Sequence, residues 1–139
     1  MPEIHETVEI QAPADEVWSL AGDPGRIGEW VPALAASVLE DDRRVCATAD
    51  GADIVERVLE RSDEQRYYVY EITSSPFPLR WFRSQLSVHG HDGHSHVSWL
   101  ARFEAESPEL EPDLAGAFER IYRDGLTALQ GRFESGPDA

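Results

Sequence analysis

The stretch 112–133 sets the terms for everything before it. Leu114, Phe118, Ile121, Tyr122, Leu126, Leu129 and Phe133 recur at helical spacing and make one apolar stripe. Glu119, Arg120, Arg123, Asp124 and Gln130 fall mostly on the other side. Pro112 suits a first helical turn, and Glu111 and Asp113 complement the positive end of the helix dipole. At 1.5 Å per residue this is about 33 Å of helix. A helix of this length cannot hide such a stripe alone. Most of the preceding chain reads as short strands, so a curved sheet wrapped around the helix is expected.

Ile4 to Ile10 alternates, with Ile4, Val8 and Ile10 on one side and His5, Thr7 and Glu9 on the other. Ala12-Pro13-Ala14-Asp15-Glu16 then opens a helix that carries Val17, Leu20 and Ala21, with Trp18 beside them. Gly22-Asp23-Pro24-Gly25 ends it, and a second short helix follows with Ile27, Trp30 and Val31 as its apolar set. From 35 onward the period is two. The spacing predicts hairpins over 37–41 and 44–49 around Asp42-Arg43, and over 52–61 and 66–73 around 62–65. A third covers 79–91 and 94–105, with Asp92-Gly93 as a type I′ turn signal. Pro76 and Pro78 place a loop at 74–78. The expected class is α+β, one domain over 1–133 with a flexible tail at 134–139.

The third hairpin can be solved for its faces. With Asp92-Gly93 as the loop, Trp99 opposes Leu86, Val97 opposes Val88, Ala101 opposes Ser84 and Phe103 opposes Phe82. These eight share the core side. Ser84 is thus a small polar group on an apolar face, which packing alone would not choose.

Composition narrows the function. At 139 residues the chain is long enough for one real core. Its formal net charge of −15 argues against nucleic acid and anionic membranes. All twelve basic residues are arginine, which excludes Schiff-base lysine chemistry and a P-loop lysine. Cys46 is the sole cysteine, so no intrachain disulfide or thiolate cluster can form. With no signal-like or long apolar run, a cytoplasmic location is expected.

Val8-Glu9-Ile10-Gln11-Ala12-Pro13-Ala14-Asp15-Glu16-Val17-Trp18 resembles the opening of the START/Bet v 1-like superfamily, in particular its polyketide cyclase/dehydrase branch. Asp23-Pro24 through Trp30-Val31-Pro32 is similar to its two-helix insertion, and Val55-Glu56-Arg57-Val58-Leu59-Glu60 to its fourth strand. His96-Val97-Ser98-Trp99 and the terminal helix complete a likeness that covers residues 4–133. The resemblance implies a helix-grip fold: a seven-stranded antiparallel sheet holding the last helix, two short helices after strand 1, and a cavity between sheet and helix. A local stretch, Glu56-Arg57-Val58-Leu59 through Leu79-Arg80-Trp81-Phe82-Arg83-Ser84, also resembles plant abscisic-acid receptors. It puts Glu56, Tyr70, Phe82 and Ser84 on their hormone-contacting positions. Gly28 stands where those receptors place a carboxylate-pairing lysine, and Ala49-Asp50-Gly51-Ala52 is shorter than their gating loop. Cavity geometry is therefore expected to carry over, and hormone reception is not.

The residues alone leave the face of Glu56 open, because Ile54, Val58 and Glu60 all share its parity. The resemblance turns it inward, where a buried carboxyl could serve as general acid or hold an arginine or a water. The expected catalytic set is Glu56 with Tyr70 or Ser84 as proton shuttle. The expected ligand contacts are Trp30, Phe77 and Phe82 at the cavity mouth, Arg57 beside Tyr70 across the strands with Tyr68 one repeat away, and Trp99, Phe118 and Tyr122 as wall. Ordinary half-buried sheet or core roles stand as the alternative for these aromatics. An apolar pocket of a few hundred Å³, roughly the usual size of a ligand site, is expected.

His89, His91, His94 and His96 fall on the outer face, His91 opposing His94 and His89 opposing His96. Four imidazoles could bind zinc, nickel or copper. The face is exposed and no carboxylate or cysteine is fixed beside it, so no metal centre and no cofactor are expected. The same placement leaves Ser84 and Cys46 without a histidine for a hydrolase triad. The reading is therefore a protein that binds a small hydrophobic or aromatic molecule, with cyclisation or dehydration of a polyketide-like substrate as its catalytic form. A non-catalytic carrier or sensor is the alternative, as is an interaction module resembling Hsp90-activator domains with a collapsed core. The expected state is monomer or homodimer, without nucleic acid or membrane.

Overall fold

A computed structural model describes residues 2–134. The chain runs β1 (Glu3–Ile10), α1 (Ala14–Ala21), a 3₁₀ segment (Pro24–Glu29), β2 (Leu34–Glu40), β3 (Arg43–Thr48), β4 (Asp53–Ser62) and β5 (Tyr67–Ser74). It continues through β6 (Leu79–His91), β7 (His94–Ala105), a 3₁₀ turn (Pro108–Leu110) and α2 (Glu111–Glu134). The strands form one antiparallel sheet in the order β1-β7-β6-β5-β4-β3-β2. This is the helix-grip arrangement, with the last helix against the inner face.

The β6–β7 hairpin keeps the expected register, Leu86 opposite Trp99 and Ser84 opposite Ala101. Asp92 and Gly93 both take the positive φ that a type I′ loop needs, 51° and 81°. The inner residues of both strands are buried, and Trp99 stacks on Tyr122 of α2 with ring centroids 3.8 Å apart and planes 6° from parallel.

The β2–β3 turn and the second short helix differ from expectation. The β2–β3 loop is Asp41-Asp42 rather than Asp42-Arg43, so Glu40 pairs with Arg43 and Leu39 with Arg44. Asp41 takes φ 55°, a left-handed conformation that a short polar side chain tolerates. The second short helix is a 3₁₀ segment. Asp23 caps it by accepting from the Gly25 N–H at 3.1 Å, and Ile27, Trp30 and Val31 are buried as its spacing predicts. The segment lies directly on β2: a Cβ on Gly28 would sit 2.7 Å from the Ala36 carbonyl carbon. Only glycine permits that approach.

The β4–β5 pairing decides the face of Glu56. Glu56 opposes Ile72 and Val58 opposes Tyr70, but Glu60 opposes Val69, leaving Leu59 as an extra residue. This bulge reverses the parity beyond it. Ile54 and Glu56 therefore point inward while Glu60 turns to solvent. The turn runs 63–66 rather than 62–65, with Ser62 pairing with Tyr67, and this together with the bulge sets Arg57 opposite Glu71, not beside Tyr70.

Helix α2 extends through Glu134, whose carboxylate accepts from the Gln11 N–H at 2.8 Å, so Glu134 belongs to the helix rather than to a tail. The rest of the expected tail, 135–139, lies outside the described residues. Among these residues no helix is long and apolar enough to cross a membrane.

Candidate functional site

Between α2 and the β3–β6 part of the sheet lies a cavity of about 70 Å³. Cys46, Ile54, Glu56, Tyr70, Ile72, Phe82 and Trp99 line it from the strands, and Phe118, Ile121 and Tyr122 from the helix. Ala33, Leu34, Thr48 and Phe77, all half-buried, also line it. This volume is well short of the few hundred Å³ expected, roughly the usual size of a ligand site. The reason is Phe118. Its ring approaches those of Phe82 at 4.7 Å and Phe77 at 4.9 Å, filling the middle of the grip.

The floor of the cavity is polar. Glu56 and the fully buried Arg44 face each other across β3 and β4, with Arg44 Nε donating to Glu56 Oε1 at 2.6 Å. Arg44 Nη1 donates to the Pro24 carbonyl and to the Tyr68 hydroxyl, both at 3.0 Å. Its guanidinium carbon lies 4.6 Å from the centre of the Tyr70 ring and 5.5 Å from that of Tyr68, within cation–π range. Nη2 has no partner among the described residues. Burial opposes the charge on Arg44, yet the surrounding Tyr68, Glu56 and Tyr70 hold its pKa well above the ordinary value. The Cys46 thiol donates to Glu56 Oε1 at 3.6 Å. Burial, then the Glu56 charge, push that thiol up to about 12, so it is no nucleophile at neutral pH. Glu56 Oε2 accepts nothing from the described residues, and its side chain borders the cavity.

The hydroxyls on the far wall form a chain with one direction. Ser84 Oγ donates to the Leu100 carbonyl at 2.9 Å, so its contact of 2.7 Å with Tyr122 must be one it accepts. Tyr122 then accepts from Tyr70 at 3.2 Å, and Tyr70 accepts from Trp99 Nε1 at 3.2 Å. Every hydroxyl proton is committed, and the chain ends on a main-chain oxygen. Burial, first of all causes, raises the pKa of both tyrosines.

The structure thus brings Glu56, Tyr70, Phe77, Phe82, Trp99, Phe118 and Tyr122 to one cavity. Four expected residues fall elsewhere. Arg57 is on the outer face, exposed and paired with Asp42 at 3.0 Å, because the β4 bulge fixes its side. Trp30 is buried behind Trp99, ring centroids 5.4 Å apart, and does not form the mouth. Tyr68 is covered entirely and meets the site through Arg44 and through the ring of Tyr70, 5.8 Å between centroids. Ser84 stands behind Tyr122 as the end of the hydroxyl chain. Arg44 and Cys46 were not expected. Their signal was their shared parity on β3 opposite Glu56 and Ile54.

The histidines pair as expected, His89 opposite His96 and His91 opposite His94. His96 Nδ1 sits 2.6 Å from Glu9 and His91 Nε2 sits 3.3 Å from Asp92. Among the described residues no group of three or more His, Cys, Asp or Glu side chains is placed to hold a metal.

Solved structures share this architecture. The protein XoxI from Bacillus cereus is 32% identical, with 96% of each chain covered and a TM-score of 0.89. A protein from Thermobifida fusca is 33% identical, with 96% of each chain covered and a TM-score of 0.83. The Zhui aromatase/cyclase from Streptomyces sp. R1128 is 17% identical, covering 96% of this chain and 93% of its own at a TM-score of 0.81, a likeness of fold alone. No curated protein matches significantly. Residues 1–134 match the family described as polyketide cyclase/dehydrase and lipid transport. The order of elements, the gripped helix and that match agree: the chain belongs to the polyketide cyclase/dehydrase and lipid-transport family.

Proposed function

We propose that the protein binds a small hydrophobic or aromatic molecule between α2 and the sheet, with Glu56 as its polar contact. One observation carries this: an inward carboxylate with an open oxygen in an otherwise apolar, aromatic-lined cavity. A core built only for stability has no use for such a group, since a charged carboxylate turned toward an apolar space carries a desolvation cost. The same observation weighs against the interaction-module reading, which needs a filled core and an outward Glu56. The half-buried rim gives a ligand's bulk a place outside the small cavity, and displacement of Phe118 would enlarge it.

The catalytic form, cyclisation or dehydration of a polyketide-like substrate, has the family match in its favour. Glu56 is then the group placed to take a proton. Tyr70 and Ser84 are less suited, because their protons are committed to the hydroxyl chain. Tyr70 and Tyr122 would serve to hold the wall rigid.

The test plugs the rim. Ala33→Trp places an indole at the half-buried edge of the cavity. A polarity-sensitive dye should bind the wild type at one site and lose affinity about tenfold or more in the variant, with unchanged circular dichroism. Equal dye binding by both proteins would move the site elsewhere.

A further inference from the structure

The cavity offers a ligand acceptors and no donors. Tyr70 and Tyr122 have both given their hydroxyl protons to the chain that ends at Leu100. The Thr48 hydroxyl donates to Asp50 and the Cys46 thiol to Glu56. Among the described residues Arg44 Nη2 and Trp30 Nε1 are the buried side-chain N–H groups without a partner, but both residues are covered and neither is part of the cavity wall. Glu56 and Cys46 border the cavity above Arg44. The polar atom left open is an oxygen of a carboxylate whose charge Arg44 already balances.

From this we infer that the site selects neutral hydrogen-bond donors, alcohols or phenols entering hydroxyl-first, and discriminates against carboxylates of the same shape. The inference rests on the binding reading above and adds the ligand's chemical class. A hydroxyl at the cavity floor donates to Glu56 Oε2 and makes a charge-assisted bond without adding charge. A carboxylate there sets a second negative charge beside Glu56 in a desolvated space, with no donor to receive it. Arg44 Nη2 is unpartnered among the described residues, but Arg44 is covered completely, so a ligand carboxylate reaches it only by displacing the side chains that cover it. The cavity's volume of about 70 Å³ admits the hydroxyl and its nearest atoms. The remainder of the molecule lies against Phe77, Leu34 and Ile121.

Titration with matched pairs tests this at neutral pH: octanol against octanoate, and propylphenol against propylbenzoate. Trp99 lines the cavity, so tryptophan fluorescence can report occupancy alongside calorimetry. The neutral member of at least one pair should bind about tenfold or more tightly than its carboxylate. In Glu56→Gln the open atom can become an N–H donor and the Arg44 charge is no longer balanced, so the preference should shrink or reverse. Should that variant not fold, the double variant Arg44→Met with Glu56→Met removes both charges and should bind both members alike. Wild-type protein that binds carboxylates as well as or better than the neutral partners overturns the selectivity while leaving the binding reading standing. The same holds for an undiminished preference in Glu56→Gln or, where that variant does not fold, in the double variant. Failure of all four compounds to bind overturns the binding reading and this inference with it.

Discussion

Arg44 shows how one side chain can govern a site it does not line. A buried guanidinium is tolerable only when paired, and here Glu56, Tyr68 and the Pro24 carbonyl surround it. Removing one member of such a pair leaves the other charge buried alone. Arg44→Met should therefore destabilise the protein by about 3–5 kcal/mol, whereas the double variant Arg44→Met with Glu56→Met should recover most of that loss. Urea melts of wild type, both single variants and the double variant close the cycle. A double variant no better than the worse single would mean the pair is not the source of the loss. Glu56 was legible as inward only through its likeness to a known strand, since the bulge at Leu59 that settles its face has no signature in the residue pattern. Arg44 was missed because an arginine beside another arginine near a turn reads as solvated, which is the usual case.

The elements divide by how locally each is determined. The β6–β7 hairpin was readable to the register because a two-residue loop with two positive φ values leaves one pairing. Helix α2 was readable from its stripe to within a residue at each end. The 3₁₀ segment was harder. Its buried set is the expected one, but its shape follows from contact with β2 at Gly28, a tertiary constraint. Trp99 joins the two legible elements: it stacks on Tyr122, contacts Trp30 and donates to Tyr70. Trp99→Ala should cost about 3–5 kcal/mol, as large-to-small core changes do. A loss within about 0.5 kcal/mol in a denaturant melt would show that the hairpin presents its other face to the helix.

At the scale of the whole molecule, the excess of 27 acidic over 12 basic residues sits against a set of ion pairs that is mostly exposed. Exposed pairs contribute little, about 0–1 kcal/mol each. The unpaired acids repel one another in the compact state more than in the extended chain. The Arg44–Glu56 pair is the exception, because it is covered and poorly screened. Neutral salt should then raise the melting temperature. The screening length falls to about 8 Å near physiological ionic strength, so most of the gain should come below roughly 0.3 M potassium chloride. Calorimetric scans across that range check the prediction. A gain that only begins near molar salt would point to strengthened apolar burial instead. A melting temperature that falls with salt would mean the exposed pairs outweigh the repulsion. The same scan on the double variant separates surface from site: its slope with salt should match that of the wild type, since the charges it removes lie beyond the reach of the ions.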